Sequence, residues 1–241
     1  MSDNKKDLID RISCGDEILK DGEYFNIEEN WKEEDDSITP LKYSFEIVDG
    51  KLHGLVEVYQ KKVTKKFFLT KSRWVLSERT NYKKGKKHGK RFLYYKGFIS
   101  NEQNYNNGKR DGEQYTYSYL GSDSYDIGPF YSTPNGQHRE LKMLSTYKDG
   151  VCHGKFEEYR IVKMTEGFIV EKTKYIYKHL SEWGDYVNDK QDGMWYSNPW
   201  DRGRNQNPYK NGMRHGRWTY DGWFYIIYDN DEEVENGTYE D

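Results

Sequence analysis

Alanine is missing from all 241 residues. It is the best helix former, so a chain without it has little means of building long helices. Cysteine is scarce: Cys14 and Cys152 are the only two, too few for a disulfide framework and without metal-ligand spacing, which points to free thiols in a reducing compartment. No window approaches the roughly 18 apolar residues of a membrane-spanning helix. Met1-Ser2-Asp3-Asn4-Lys5-Lys6-Asp7 lacks the apolar stretch of a secretory signal. Together these predict a cytoplasmic protein. Also missing are the Gly-x-Ser-x-Gly nucleophile turn, the Gly-x-x-x-x-Gly-Lys phosphate loop and the Asp-x-Asp-x-Asp-Gly calcium loop. The sequence therefore predicts neither an enzyme nor a cofactor.

Aromatic rings take the place of aliphatic bulk. Tyr, Trp and Phe make up 17% of the chain, while all hydrophobic residues reach only 34%. Disordered chains are poor in aromatics, so the chain folds, and around amphipathic rings. Tyr, Phe, Trp, Val, Ile and Thr favour strands. With 22 glycines as punctuation, the composition predicts an all-β fold with many turns.

The glycines are periodic. Tyr82-Lys-Lys-Gly85-Lys-Lys-His88-Gly89 is followed by Tyr94, Tyr105-Asn-Asn-Gly108-Lys-Arg-Asp111-Gly112 by Tyr117, and Tyr147-Lys-Asp-Gly150-Val-Cys-His153-Gly154 by Tyr159. An earlier copy reads Ile47, Gly50, His53, Gly54, Tyr59; later ones read Tyr186, Asp189, Asp192, Gly193 and Tyr209, Gly212, His215, Gly216. The six copies start at 47, 82, 105, 147, 186 and 209, with 23 residues as the shortest step. Longer steps are units with insertions, the largest being a Gly-, Ser-, Asp- and Pro-containing loop at 121–140. Asp21-Gly22-Glu23-Tyr24 reads as a half unit. Asp-Gly, Asn-Gly and Lys-Gly pairs supply the positive φ of a tight turn, so each unit is a β-hairpin that must stack on its neighbours to bury a face. The second glycine marks a bulge or a close approach.

Tyr-x-x-Gly-x-x-x-Gly followed by a further aromatic, with a period near 23, resembles the MORN repeat over roughly residues 43–222. The short turns are similar to the bacterial variant found in antitoxin-like and immunity-like proteins. The resemblance implies a scaffold or partner-binding module; some members of the family are linked to anionic lipids. Asp189 stands where the pattern has glycine, and Asn198 and Asp221 where it has the closing tyrosine, so the C-terminal units depart from a regular ladder.

Candidate sites follow from what the repeat leaves over. His53, His88, His153 and His215 share one repeat position with Asp111 and Asp192; interchange of His and Asp marks a turn position. Hairpins about 10 Å apart cannot share one metal. The run Glu28, Glu29, Glu33, Glu34, Asp35, Asp36 reads as a solvated loop. Residues 51–112 hold 17 basic and 4 acidic side chains, among them Lys61, Lys62, Lys65, Lys66, Lys83, Lys84, Lys86 and Lys87. This segment is a candidate patch for anionic lipid or nucleic acid, set against plain solubility and edge protection. Five of the seven tryptophans fall late, at Trp183, Trp195, Trp200, Trp218 and Trp223. Trp195 and Trp218 share an offset two residues after the second glycine, which places them on one face. Core packing is one reading of these rings and a partner-binding hot spot the other.

The expectation is an all-β protein: an elongated antiparallel sheet of stacked hairpins over residues 43–228, closed at one end by an acidic region, 1–42, and followed by an acidic tail, 229–241. Leu8, Ile9, Ile12 and Ile18-Leu19, behind Ser2 or Asp3 as cap, predict a short helix over the open sheet end. The expected function is non-enzymatic binding. The partner is a protein, such as a toxin or effector, that the sheet face and the Trp-rich units would occlude or scaffold. Anionic lipid, and after it nucleic acid, are the alternative partners through the basic segment. Gly50, Gly54, Gly85, Gly89, Gly108, Gly112, Gly150, Gly154, Gly193, Gly212 and Gly216 are structural.

Overall fold

The computed structural model describes residues 7–32, 38–66, 69–119, 139–166, 172–198, 204–220 and 223–239. Helix α1 (Leu8–Cys14) precedes β1 (Gly22–Lys32), β2 (Ile38–Val48), β3 (Lys51–Lys66), β4 (Leu69–Lys83), β5 (Lys86–Tyr95), β6 (Phe98–Asn106) and β7 (Lys109–Arg110). Then come β8 (Gly112–Tyr119), β9 (Arg139–Lys148), β10 (Val151–Glu166), β11 (Lys172–Val187), β12 (Lys190–Ser197), β13 (Asn205–Lys210) and β14 (Met213–Arg214). The last are β15 (Gly216–Tyr220), β16 (Phe224–Asp229) and β17 (Glu232–Thr238). Strands β1 to β14 form one antiparallel sheet in chain order, with β7 paired to β6 beside the path, and β15 to β17 form a second, three-stranded sheet. The chain divides into two compact units, Met1–Lys109 and Arg110–Asp241. No described helix is long and apolar enough to cross a membrane.

The repeat explains itself in the turns. Both central residues have positive φ in Asp49-Gly50, Lys84-Gly85, Asn107-Gly108, Asp149-Gly150, Asn188-Asp189, Asn211-Gly212 and Asn230-Asp231, the conformation that matches strand twist. The second turn residue then donates its N–H to a carbonyl two residues past the preceding turn: Gly85 to Leu52, Gly108 to Lys87, Gly150 to Arg110, Asp189 to Cys152, Gly212 to Gln191 and Asp231 to Arg214, all at 2.8–3.0 Å. The second glycine of each unit, also at positive φ, makes a bulge. Gly54, Leu55 and Val56 stand opposite the single Phe45, and Gly193, Met194 and Trp195 opposite the single Gly184. The opening residue of each unit then lies directly across from the second glycine of the unit before, as in Gly54↔Tyr82, Gly89↔Tyr105, Gly154↔Tyr186 and Gly193↔Tyr209.

Gly22↔Ile47 and Gly216↔Tyr228 belong to the same series. The half unit at Asp21-Gly22 therefore opens the ladder, and Asp21 Oδ2 and Oδ1 accept from Asp49 N and Gly50 N at 3.0 and 2.8 Å. Tyr228 opens a seventh unit. The segment expected as an acidic tail is thus a strand, β17, as far as Thr238. It escapes the motif because its turn is Asn230-Asp231 and Glu235 stands where the second glycine would be. Asp189 and Asp231 replace the turn glycine with a gain. Their carboxylates accept Cys152 N at 2.6 Å and Arg214 N at 2.8 Å, and the same two aspartates donate back to those residues' carbonyls.

In the first unit the core is aliphatic and helix-covered. Leu41, Tyr43, Phe45 and Ile47 of β2, Leu52, Val56 and Val58 of β3, and Tyr82 of β4 pack with Leu8, Ile9 and Ile12 of α1. The helix is shorter than expected and capped by Asp7, whose carboxylate accepts Asp10 N, and it stops at Gly15 in the left-handed region. Ser2 and Asp3 lie outside the described residues. Ile18 is exposed, and α1 covers a face of the sheet, since three apolar residues of a seven-residue helix need a surface to lie on. The acidic run also departs from a loop. Glu28 and Glu29 are in β1, where Glu29 binds Arg11 at 2.8 Å and accepts Tyr43 Oη and Leu8 N at 3.2 Å; 33–37 lie outside the described residues. So does the 121–140 insertion, apart from its last two positions, which open β9.

In the second unit the core is a chain of rings. Trp195 meets Phe156, Tyr186 and Tyr209 at 5.0–6.3 Å, and Trp218 meets Tyr209 and Tyr228 at 5.0 and 5.6 Å. Trp195 Nε1 donates to Asp185 O at 3.0 Å and Trp218 Nε1 to Pro208 O at 2.9 Å. A Cβ on Gly184 would lie 2.5 Å from the Trp195 ring. Proline explains where the ladder changes sheet. Pro208 O accepts His215 N, so the N–H that proline lacks is the one β13 would have turned toward the same neighbour. Trp195→Ala is expected to lower stability by about 3–5 kcal/mol through the cavity left behind, and Gly184→Ala by about 1–3 kcal/mol through overpacking. Urea unfolding followed by tryptophan fluorescence measures both, and an unchanged midpoint for either would refute this account of the core.

Candidate functional site

Alternation decides which side chains are left for function. It runs on through the bulge and keeps the residue two past the second glycine on the inward face: Val56, Arg91, Gln114, Phe156, Trp195 and Trp218. The residues three and five past it then share the opposite face, at Glu57 and Tyr59, Phe92 and Tyr94, Tyr115 and Tyr117, Glu157 and Tyr159. Along this face, tyrosine hydroxyls donate to carboxylates two residues back: Tyr59 to Glu57 at 2.8 Å, Tyr159 to Glu157 at 2.9 Å, and Tyr115 to Glu113. Burial works to raise the Glu57 carboxyl, but the hydrogen bonds from Tyr59 and Arg79 outweigh it and hold it below its ordinary value. The face is built from rings whose edges are already fixed, with charges between them.

Two ring-and-cation clusters stand out, one in each unit. In the first, Lys42 Nζ lies 5.0 Å over Tyr59 and 5.2 Å over Trp74, and Lys61 Nζ lies 5.7 Å over Trp74. In the second, Trp183 and Tyr196 are directly opposed across β11 and β12. Their rings stack at 5.0 Å and 16°, and the Arg204 guanidinium is 5.1 Å from one and 5.8 Å from the other. Both rings are half-buried and Arg204 is exposed.

The predicted tryptophans therefore separate. Trp195 and Trp218 do share a face, but they are only 2% and 9% exposed. Such rings belong to the core, on the inward face that plain alternation carries through the bulge. Trp183 lies on the open face. Trp223 is 63% exposed, and Trp200 is outside the described residues. Sequence reasoning missed Tyr196 and Arg204. Tyr196 carried a signal, three residues past Gly193, in the row of Glu57 and Glu157; Arg204 carried none.

The basic segment separates as well. Lys83, Lys84, Lys86 and Lys87 surround the turn between β4 and β5, where the Lys86 stem lies against Gly108 as the Lys51 stem lies against Gly85. Lys61 and Lys62 sit at the other end of the strands, opposite Trp74 and Arg73. Nine residues of β4 part the two groups, about 30 Å at strand rise. The side chains of Lys65 and Lys66 lie outside the described residues. The sequence's single patch is two, because a hairpin folds the middle of the segment away from both ends. Between them, Arg79, Lys90 and Arg91 are neutralised by Glu57, Glu102 and Glu78 at 2.6–2.7 Å.

The histidine row belongs to the turns. Asp192, at that position, accepts Asn211 N at 3.0 Å, as Asp21 does for the first turn, and Nδ1 of His88, His153 and His215 is buried. Among the described residues no group of three His, Cys, Asp or Glu is placed to hold a metal ion. Burial raises the Cys152 thiol, as does the charge of Asp189, which works against its use as a nucleophile. No protein-family model matches the chain, and no curated protein matches it.

Glu158 and Glu182 oppose each other directly across β10 and β11. Burial, and after it the charge of Glu158, raises the Glu182 carboxyl above its ordinary 4.5. A carboxyl raised on folding favours the folded state while protonated, and that contribution is lost as pH climbs through the folded pKa. Glu182→Gln is expected to raise the thermal midpoint at pH 7 and to leave it unchanged at pH 3. A lower midpoint at pH 7, read by circular dichroism, would contradict the repulsion.

Proposed function

We propose that the chain is a non-enzymatic binding module that occludes or scaffolds a protein partner, of the antitoxin- or immunity-like kind that its resemblance to the short MORN repeat suggests. The observation that carries this reading is the Trp183–Tyr196–Arg204 cluster. Trp, Tyr and Arg are the residue types that dominate binding hot spots. Here they are half-exposed on the face opposite the ring core and already stacked, so a partner would meet side chains with little rotamer freedom left to lose.

The test is co-expression with the product of the neighbouring reading frame. A stoichiometric complex by size exclusion is expected, together with relief of any growth defect that product causes alone. Trp183→Ala and Arg204→Glu, with unchanged circular dichroism, are each expected to weaken the complex at least tenfold, about 1.4 kcal/mol. A complex indifferent to both substitutions would move the binding surface elsewhere, and no complex at all would defeat the reading.

A further inference from the structure

The last pair joining β2 to β3 is Leu41↔Gln60, and the last joining β4 to β5 is Glu78↔Leu93. Pro40, with no N–H to give, is the next residue of β2. Beyond these points β3 and β4 continue with only each other, through Lys61↔Trp74, Lys62↔Arg73, Val63↔Ser72, Thr64↔Lys71, Lys65↔Thr70 and Lys66↔Leu69. Residues 61–74 contain six basic side chains, Lys61, Lys62, Lys65, Lys66, Lys71 and Arg73, and no acidic one. Lys61, Lys62, Lys71 and Arg73 are exposed and, among the described residues, make no ion pair.

We propose that this two-stranded ribbon is a binding site for double-stranded DNA, entering the major groove. Opposed residues share a face and successive ones alternate. Lys62, Thr64, Lys71 and Arg73 therefore stand on one face, and Lys61, Val63, Ser72 and Trp74 on the other. The register places Thr70 on the second. Both faces thus carry cations, with hydroxyls among them. A planar anionic surface meets one face of a ribbon and leaves the charge of the other idle. A groove has phosphates along both walls. The B-form major groove, about 12 Å wide, admits a two-stranded ribbon, and six residue pairs span about 20 Å, or six base-pair steps. Hydroxyls and lysines on the ribbon are the groups that bond base edges and phosphates. The Trp74 ring already lies beneath Lys42 and Lys61, so groove contact is favoured over stacking on single strands. The ribbon belongs to the first unit and the ring cluster under Proposed function to the second, so the two sites are tested separately.

The full chain is titrated into a labelled 20-base-pair DNA duplex and read by fluorescence anisotropy. Binding is expected at 50 mM salt, weakening about 100-fold by 200 mM if four phosphates are neutralised. The variant with Lys61, Lys62, Lys71 and Arg73 all changed to Glu is expected to lose binding at least tenfold, and the milder pair Lys62→Gln and Arg73→Gln to lose it in part with the thermal midpoint unchanged. Lys83→Glu with Lys84→Glu, at the far turn, is expected to keep it. An RNA duplex, whose major groove is too narrow for side chains, should bind at least tenfold more weakly. No binding to DNA at 50 mM salt, equal loss in the turn variant, equal binding of the RNA duplex, or ribbon-dependent binding to phosphatidylserine vesicles without DNA binding would each overturn the proposal.

Discussion

One hydrogen bond sets the geometry of this protein: the N–H of the second turn residue, given to a carbonyl two residues past the preceding turn. The acceptor comes from the neighbouring hairpin, and the bond forms even where the turn residue is exposed, as at Gly108, Gly150 and Gly212. The bond fixes the step from unit to unit, and much of the motif follows from it. The turn must be of the kind with two positive φ angles, which brings in Asn, Asp or Lys followed by Gly or Asp. The strand leaving the turn must shift register, which the second glycine does by bulging. The residue that opens the next unit then stands opposite that glycine, and is a tyrosine in most units. Tyr-x-x-Gly-x-x-x-Gly is thus the residue pattern of a stacked turn.

Alternation divides the chain into inside and outside. Because three residues face one, the bulge adds two residues and the alternation runs on through it, so the side chain two past the second glycine shares the inward face with the residue two before it, as Val56 does with Leu52. Val56 suits a helix-covered aliphatic core. Arg91 is held there by a carboxylate: burial works to raise Glu78, but the hydrogen bonds and charge of Arg91 outweigh it and hold it below its ordinary value. Trp195 and Trp218 fill the position with rings, and Gly184 exists to make room for one of them. One backbone device therefore carries three kinds of core, and the kind is chosen at a single position.

Hairpins, turn glycines, antiparallel stacking, the N-terminal helix and the half unit at Asp21 were legible in the sequence, because each rests on local chemistry that a few adjacent residues carry. What escaped depends on register. That the face carrying Trp195 is the covered one depends on Phe156, Tyr186 and Tyr209, which come from other strands. Whether Lys61 and Lys86 form one patch needs the strand between them laid out straight. Tyr228 opens a unit without either diagnostic glycine, since Asp231 supplies both the turn conformation and a carboxylate for Arg214 N. Arg204, just before β13, meets Trp183 only through the pairing of β13 with β12 and of β12 with β11, which lies beyond local reading.

The distribution of glutamate bears on what the basic residues are for. Within 51–112 the glutamates are Glu57, Glu78 and Glu102, and each sits among strands paired on both sides, where it neutralises Arg79, Arg91 or Lys90. Elsewhere in this stretch the basic excess persists, with 11 basic and 4 acidic side chains outside 61–74, but three of the cations are answered by these glutamates. Where β3 and β4 run on alone, Lys61, Lys62, Lys71 and Arg73 make no ion pair among the described residues. Lys62 faces Arg73 directly across the ribbon, an arrangement that is destabilising between opposed strands. Solubility would be served as well by mixed charge, and edge protection needs only a lysine or two. Between the paired strands three cations are answered by glutamate; in the ribbon Lys62 and Arg73 are opposed with no acidic residue in 61–74, a repulsion that an external polyanion would relieve.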